Sequence, residues 1–370
     1  MTRVGILYGG RSGEHDVSLH SAASVVHRLD TERFEPVPIG ITLEGRWFAE
    51  DPARVAREAR ENGTLSVYAD EAARVSVVPA GGLRTERGPM HVDVVFPVLH
   101  GSFGEDGTVQ GLLEIAGIPY VGAAVAGSAV GMDKALAKRL WQHAGLPTVP
   151  FQALRREQLV DGSDTLDEVR MAKAAARVER SVKLPWFVKP ARAGSSVGVT
   201  RTDRLDDFPD AARAALQFDT KLLVEPEVRG REIECSVLGT EDVRTFLPGE
   251  IRPAHDFYSY EAKYVDPEGA ALFVPAELSE ELTAEVRSVA AAAYRAVDCE
   301  GFARIDFFVN DEAGEVYLNE INTIPGFTSI SMFPKLCEAG GLSYRDLLTE
   351  LIRLALRRHE LKSALSYQWS

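Results

Sequence analysis

The sequence predicts an α/β domain followed by two smaller α+β units, and three observations carry that prediction. Apolar strand-like runs alternate with helical patterns through the first third of the chain, as in a parallel sheet wrapped by helices. Two of those runs end in glycine-rich turns that open helices. Near the other end, two apolar runs flank Gly314 and read as an antiparallel hairpin. At roughly 100 to 200 residues per domain, the length of 370 residues accommodates two or three domains.

The elements follow in order. Residues 4–8 form the first strand, which reaches Gly9-Gly10 too soon for the apolar stretch of about 7 to 15 residues that a signal peptide needs. A helix over 17–29, strands over 37–41 and 92–99 and a helix over 109–116 complete the first unit. Gly9-Gly10-Arg11-Ser12-Gly13-Glu14 follows the first strand, and His100-Gly101 with Gly104-Glu105-Asp106-Gly107 follows the strand over 92–99. Both turns therefore lie at carboxyl ends of strands, where open α/β sheets bind ligands. Residues 115–132 are uncharged but hold Pro119, Ser128 and four glycines, too few large apolar side chains to span a bilayer. They are expected to form buried loop and strand.

A break falls near Gly122. Asp133 is expected to cap a helix carrying Leu136, Leu140 and Ala144 at spacing four and ended by Gly145 and Pro147. An Ala- and Arg-rich helical stretch, a strand over 186–190 and the loop Gly194-Ser195-Ser196-Val197-Gly198 form the second unit. From about Leu222 onward, strands over 222–225, 232–238, 302–309 and 316–322 mix with helices over 280–297 and 343–358, which reads as a third, α+β unit.

Composition excludes several classes of function. With 41 Lys+Arg against 55 Asp+Glu, the net charge of -14 opposes polyanions, so no nucleic-acid partner is expected, and any phosphate must be met by a few placed basic groups. Three cysteines without a CxxC pair support neither a disulfide framework nor a structural zinc site and fit a reducing cytoplasm.

The hairpin holds the most chemistry. Strand alternation places Arg304, Asp306 and Phe308 on one face and Leu318, Glu320 and Asn322 on the facing one. Carboxylate and amide oxygens together suit Mg²⁺ shared with substrate phosphates; the alternative is a solvated strand face with an ion pair. Lys189 ends a strand before a Gly/Ser loop able to approach phosphate oxygens, although such a loop also serves as an ordinary turn. Lys134 opens its helix, where most lysines are solvated. His255, Tyr258, Tyr260, Lys263 and Tyr264 crowd one segment, as in a lid or a core-anchoring loop. Glu14, His100 and Glu105 follow glycine turns and could equally be helix caps.

Taken together these stretches resemble the D-alanine:D-alanine ligases of the ATP-grasp superfamily. The motifs are Gly9 to Glu14 with Val17-Ser18, Leu99-His100-Gly101 with Gly104 to Gly107, Met132-Asp133-Lys134, Val188-Lys189-Pro190 with Gly194 to Gly198, Glu261 to Tyr264, Ala303 to Asp306, and Asn319 to Thr323 with Pro325-Gly326. Seven motifs in the family's order cover nearly the whole chain, where each alone is weak. The resemblance implies a Rossmann-like domain over 1–123, then the two α+β halves of an ATP-grasp fold over 124–223 and 224–370.

It also implies an activity, the ATP-dependent joining of two D-alanines for peptidoglycan precursors through a D-alanyl phosphate, in a cytoplasmic homodimer with no membrane partner. By resemblance Lys134, Lys189, Ser195, Ser196, Glu225, Val228 and Glu232 hold ATP, with Glu225 at the adenine amino group and Glu232 at the ribose. Asp306, Glu320 and Asn322 hold two Mg²⁺, for which Mn²⁺ substitutes. Glu14 with His100 binds the ammonium of the first D-alanine, and Ser331 with Lys263 the carboxylate of the second. Arg304 and the N–H of Gly326 form the oxyanion hole, and Tyr264 latches the lid through Ser195 and Glu14. Pro226 and Ser259 depart from the family pattern, and the tail after Arg358 matches nothing in it. The rival readings are a D-alanine:D-lactate or D-alanine:D-serine ligase, against which Lys263-Tyr264 speaks, and an inactive nucleotide-binding protein.

Overall fold

The computed structural model describes residues 1–253 and 269–366. The first unit begins with β1 (Thr2–Gly9), α1 (His15–Arg28), β2 (Phe34–Ile41), β3 (Trp47–Ala49) and α2 (Pro52–Glu61). Three short strands, β4 (Ser76–Val78), β5 (Gly82–Thr85) and β6 (Gly88–Met90), precede β7 (Val94–Val98) and α3 (Thr108–Ala116). The main sheet has the order β3-β2-β1-β7, with β1 parallel to both β2 and β7 and β3 antiparallel on the edge. All five residues of β7 and the last six of β1 are buried, as expected of parallel strands covered on both faces. This leaves the turns after β1 and β7 side by side.

Residues 115–132 differ from the expected loop and strand, because 125–132 form a helix, α4 (Val125–Met132). Glycine and alanine give little apolar contrast, so its periodicity is silent in the sequence. They allow close packing instead: a Cβ on Gly127 would lie 2.7 Å from the Asp298 carbonyl oxygen, and one on Gly131 2.9 Å from Thr323 Cγ2. α5 (Lys134–His143) follows at once, capped by the Asp133 carboxylate accepting from the Leu136 N–H. Its buried face is not the expected one. Leu136 and Leu140 are 41% and 39% exposed, while Ala135, Ala137, Lys138 and Trp141 face inward.

The central unit contains β8 (Gln152–Arg155), α6 (Glu168–Glu179), β9 (Trp186–Pro190), β10 (Thr200–Thr202), α7 (Phe208–Ala215) and β11 (Lys221–Pro226). Its antiparallel sheet runs β10-β9-β11-β8, so the strand near Leu222, grouped with the third unit in the sequence reading, pairs with β9 and β8 instead. The last unit has β12 (Arg231–Leu238), β13 (Arg244–Thr245), β14 (Gly249–Pro253), β15 (Ala270–Phe273), α8 (Glu280–Ala296), β16 (Phe302–Asn310), β17 (Glu315–Asn322), α9 (Met332–Ala339) and α10 (Tyr344–Ser363). Its sheet runs β15-β14-β12-β16-β17, with β13 on β12.

The predicted hairpin is β16–β17, turned at Gly314 with φ +66°. Its register shifts between Asp306 and Phe307: Asp306 faces Glu320 and Phe307 faces Leu318, which leaves Asn319 as the extra residue of a β-bulge. Leu318 therefore points into the core with Phe307, not onto the polar face expected from strict alternation. Two shared cores fix the units around this hairpin. Phe96 of β7, Phe302 of β16 and Phe327 meet edge to face, with Phe96 5.7 Å and Phe302 5.5 Å from the Phe327 ring, beside Leu347 and Leu351 of α10. Trp141 of α5 joins the core under β16–β17 and donates to the Ala293 carbonyl at 2.9 Å.

Candidate active site

The site lies where the turns after β1 and β7, the loop after β9 and the face of β16–β17 converge. Glu14 occupies the N-cap position of α1, and its N–H donates to Ser12 Oγ at 3.0 Å. The Ser195 hydroxyl, from the loop after β9, donates to the Glu14 carboxylate. Space for this contact comes from Gly194, where a Cβ would sit 2.8 Å from Glu14 Oε2. Ser195 and Ser196 hold positive φ of 50° and 58°, a conformation that non-glycine residues seldom adopt away from functional turns.

His100 is buried, and burial pushes its imidazole below the ordinary range, so the ring is neutral near pH 7. Its Nδ1–H donates to the Ile324 carbonyl at 2.9 Å, and Nε2 accepts from Ser21 Oγ at 2.9 Å. Nδ1 thereby joins the first unit to the segment after β17, while Nε2 is tied to α1 within the first unit. Glu105 makes a second tie, accepting from the N–H of Gly101 at 2.8 Å and of Ile324 at 3.0 Å. Burial first, and the neighbouring Glu14 second, push its carboxyl up to about 8.

The opposite wall is built from paired charges. Lys134 Nζ bonds the Ala193 carbonyl at 2.9 Å and lies 3.1 Å from Glu320. Burial works to lower its pKa, but Glu320 and then Glu225 outweigh that and hold the ammonium charged. Lys189 Nζ lies 2.7 Å from Glu225 Oε2 and 3.4 Å from Asn319 Oδ1. Arg304 grips Asp306 with two bonds of 2.7 Å and lies 3.1 Å from Glu234, which faces Asp306 across β12. Asn322 Nδ2 donates to Asp306 Oδ2 at 2.9 Å. The hairpin thus contributes two carboxylates and an amide, all oxygen-bearing, with Glu234 a third carboxylate beside them, facing Lys134, Lys189 and Arg304. Among the described residues no group of three His, Cys, Asp or Glu could hold a metal ion alone; phosphate oxygens would have to complete any divalent site here.

Gly326 and Ser331 lie together at the start of α9. A Cβ on Gly326 would sit 2.7 Å from Ser331 Oγ, and Ser331 Oγ accepts from the Thr328 N–H at 3.0 Å. Val228 is half-buried in the link between β11 and β12, and Glu232 is on β12 opposite Phe308. Pro226 ends β11 opposite Trp186. His255, Tyr258, Ser259, Tyr260, Lys263 and Tyr264 lie outside the described residues. The sequence points to no role for Glu234 or Lys138, and to Asn319 only as part of a motif. Glu234 continues the alternation of Glu232, and Lys138 shares the helix face of Lys134 four residues on; the bulge that turns Asn319 toward Lys189 leaves no mark in the sequence.

Among the described residues no helix is long and apolar enough to cross a membrane. Family profiles described as "D-ala D-ala ligase N-terminus" and "D-ala D-ala ligase C-terminus" match residues 3–123 and 140–353. The chain is 44% identical over 360 residues, 96% of each chain, to the D-alanine–D-alanine ligase of Treponema denticola. Among solved structures it is similar to the D-alanine-D-alanine ligase of Coxiella burnetii, at 34% identity and TM-score 0.80 over 98% of this chain and 97% of that one. It is also similar to a D-Ala:D-Ser ligase of Enterococcus faecalis, at 33% identity and TM-score 0.81 over 96% and 99%.

Proposed function

The chain belongs to the D-alanine–D-alanine ligase family, and from that premise we propose how its own residues join two D-alanines at the expense of ATP. One observation carries the reading. Lys134 touches both Ala193 and Glu320 while Ser195, two residues past Ala193, bonds Glu14, so the phosphate-facing lysine, the hairpin acids and the ammonium-binding carboxylate border one cleft.

In this reading the carboxylate of the first D-alanine attacks the γ-phosphate, releasing ADP and forming a D-alanyl phosphate. The amine of the second then attacks the acyl carbon, and phosphate leaves from the tetrahedral intermediate. Glu14 holds the first ammonium; neutral His100, with both nitrogens engaged, sets the turn beside it. Lys134 and Lys189 exchange their carboxylate partners for phosphate oxygens, Ser195 and Ser196 close over them, and Val228, Glu225 and Glu232 line the nucleoside. Glu225 is buried beside the phosphate-facing Lys189, 2.7 Å from its Nζ, which supports a place for its carboxylate at the nucleotide. Arg304 and the Gly326 N–H face the developing oxyanion, where one preorganised donor is worth about 100- to 1000-fold in rate. Ser331, with Lys263, receives the second carboxylate, and Tyr264 latches over Glu14 and Ser195. Asp306, Glu320 and Asn322 would hold two Mg²⁺ or Mn²⁺ ions, which when bound neutralise phosphate charge.

The same reading makes residues 1–123 a Rossmann-like domain, 124–223 and 224–370 the ATP-grasp halves, and the enzyme a cytoplasmic homodimer. Phosphate release and product mass at pH 7.5, with equal D-alanine and D-lactate, test it. D-alanyl-D-alanine as the main product is expected. Mainly D-alanyl-D-lactate would overturn the acceptor assignment, and no ATP-dependent phosphate release would overturn the enzyme.

A further inference from the structure

Among the described residues, Lys138 is the one charged side chain with no exposed surface at all. It is 0% exposed, on the inner face of α5 among Ala135, Ala137 and Trp141, and none of the steps above uses it. A lysine in such a place is costly unless it is paired. Its Nζ lies 3.0 Å from Glu225 Oε1 and 3.5 Å from the Leu318 carbonyl, beside the β-bulge. Glu225, itself 3% exposed, thus stands between two lysines, with Lys138 on one oxygen and Lys189 on the other at 2.7 Å.

The two lysines are not equivalent. Lys189 sits at the edge of the cleft and also reaches Asn319, while Lys138 is walled off. A nucleotide phosphate can draw Lys189 away but can never reach Lys138. If Glu225 had Lys189 as its sole counter-charge, nucleotide binding would have to break that pair and leave a carboxylate alone in the interior.

We propose that Lys138 is a positioning residue: a buried partner, out of reach of the nucleotide, that holds the Glu225 carboxylate in place, so that Lys189 is free to move from Glu225 to the phosphates of ATP. The idea rests on placing Glu225 and Lys189 at the nucleotide. It predicts that the effect of Lys138 on ATP runs through Glu225 and no other group.

A double-mutant cycle on the full-length enzyme tests this, with KM for ATP and kcat measured beside melting temperature for Lys138→Met, Glu225→Gln and the pair. Lys138→Met should raise KM for ATP about tenfold or more, because among the described residues Lys189 is then the one cation left on Glu225, while kcat at saturating ATP changes less than about threefold. In the Glu225→Gln background the same substitution should change KM less than about threefold, since no carboxylate is left to hold Lys189. An equal fold-change in both backgrounds, or a folded Lys138→Met with wild-type KM, would overturn the proposal. Should Lys138→Met not fold alone, the double variant decides: KM within about threefold of Glu225→Gln supports the pairing, and a tenfold higher one refutes it. Failure of the nucleotide placement itself reads out differently, as a Glu225→Gln enzyme with unchanged KM for ATP.

Discussion

The two sides of the cleft are built by different physics. On the nucleotide side, side chains from regular elements hold each other by charge: Lys134 with Glu320, Lys189 and Lys138 with Glu225, Arg304 with Asp306 and Glu234. On the amino-acid side, turns at strand ends do the work, with Glu14, His100 and Glu105 bonded to backbone groups and hydroxyls. The first arrangement is a set of cations that already have carboxylate partners and must exchange them for phosphate. The second is a rigid frame in which little needs to move. Removing a group from the first side should strip charge from the reaction; removing one from the second should cost a hydrogen bond.

Glu320→Gln gives the largest contrast. The substitution keeps shape but turns the Lys134 ion pair into at most a neutral hydrogen bond and removes one charge from the proposed metal-bearing face. Phosphate release under saturating substrates should fall about 100-fold or more, the scale of a lost preorganised charge contact, while the melting temperature moves by a few degrees at most. Wild-type turnover at every Mg²⁺ concentration would take the hairpin out of the reaction and erase the contrast between the two sides.

Ser195→Ala probes the seam where they meet. Its hydroxyl bonds the Glu14 carboxylate, and a hydrogen bond to a carboxylate is worth about 1.5 to 3 kcal/mol, so kcat/KM for D-alanine should drop about 10- to 100-fold with ATP binding little changed. A defect confined to ATP would assign Ser195 to the nucleotide side instead.

The difference between the sides also explains what was legible in the sequence. The hairpin announced itself because alternation groups Arg304, Asp306, Glu320 and Asn322, and Gly314 supplies its turn. The glycine turns bearing Glu14 and His100 stood out because glycines at strand ends are conspicuous. Alternation failed at Leu318, since one extra residue in a strand reverses every later side chain without a compositional signal. Lys138 stayed hidden for a related reason: a lysine in a helix reads as solvated, and only the fold shows that the exposed leucines, not the lysine, face water. The small-residue helix over 125–132 was missed because close packing of glycine and alanine leaves no hydrophobic period to detect.

The smallest expected effect belongs to Glu105, and it tests whether the amino-acid side is as free of charge exchange as its geometry says. Burial, and then Glu14, raise its carboxyl from 4.5 to about 8, against the opposing pull of the Gly101 and Ile324 N–H groups and Arg304. A carboxyl raised on folding binds a proton more tightly in the native state, so its contribution to stability is full below about pH 4.5 and is lost as pH climbs toward 8. The slope in that window cannot exceed about 1.4 kcal/mol per pH unit. Glu105→Gln cannot titrate. Wild-type melting temperature should therefore decline relative to the variant between pH 5 and 8 on the order of a few degrees, with the two curves parallel outside that range. Parallel curves throughout would mean that Glu105 is ionised in the folded protein, held by its two N–H donors, and that this side too relies on charge.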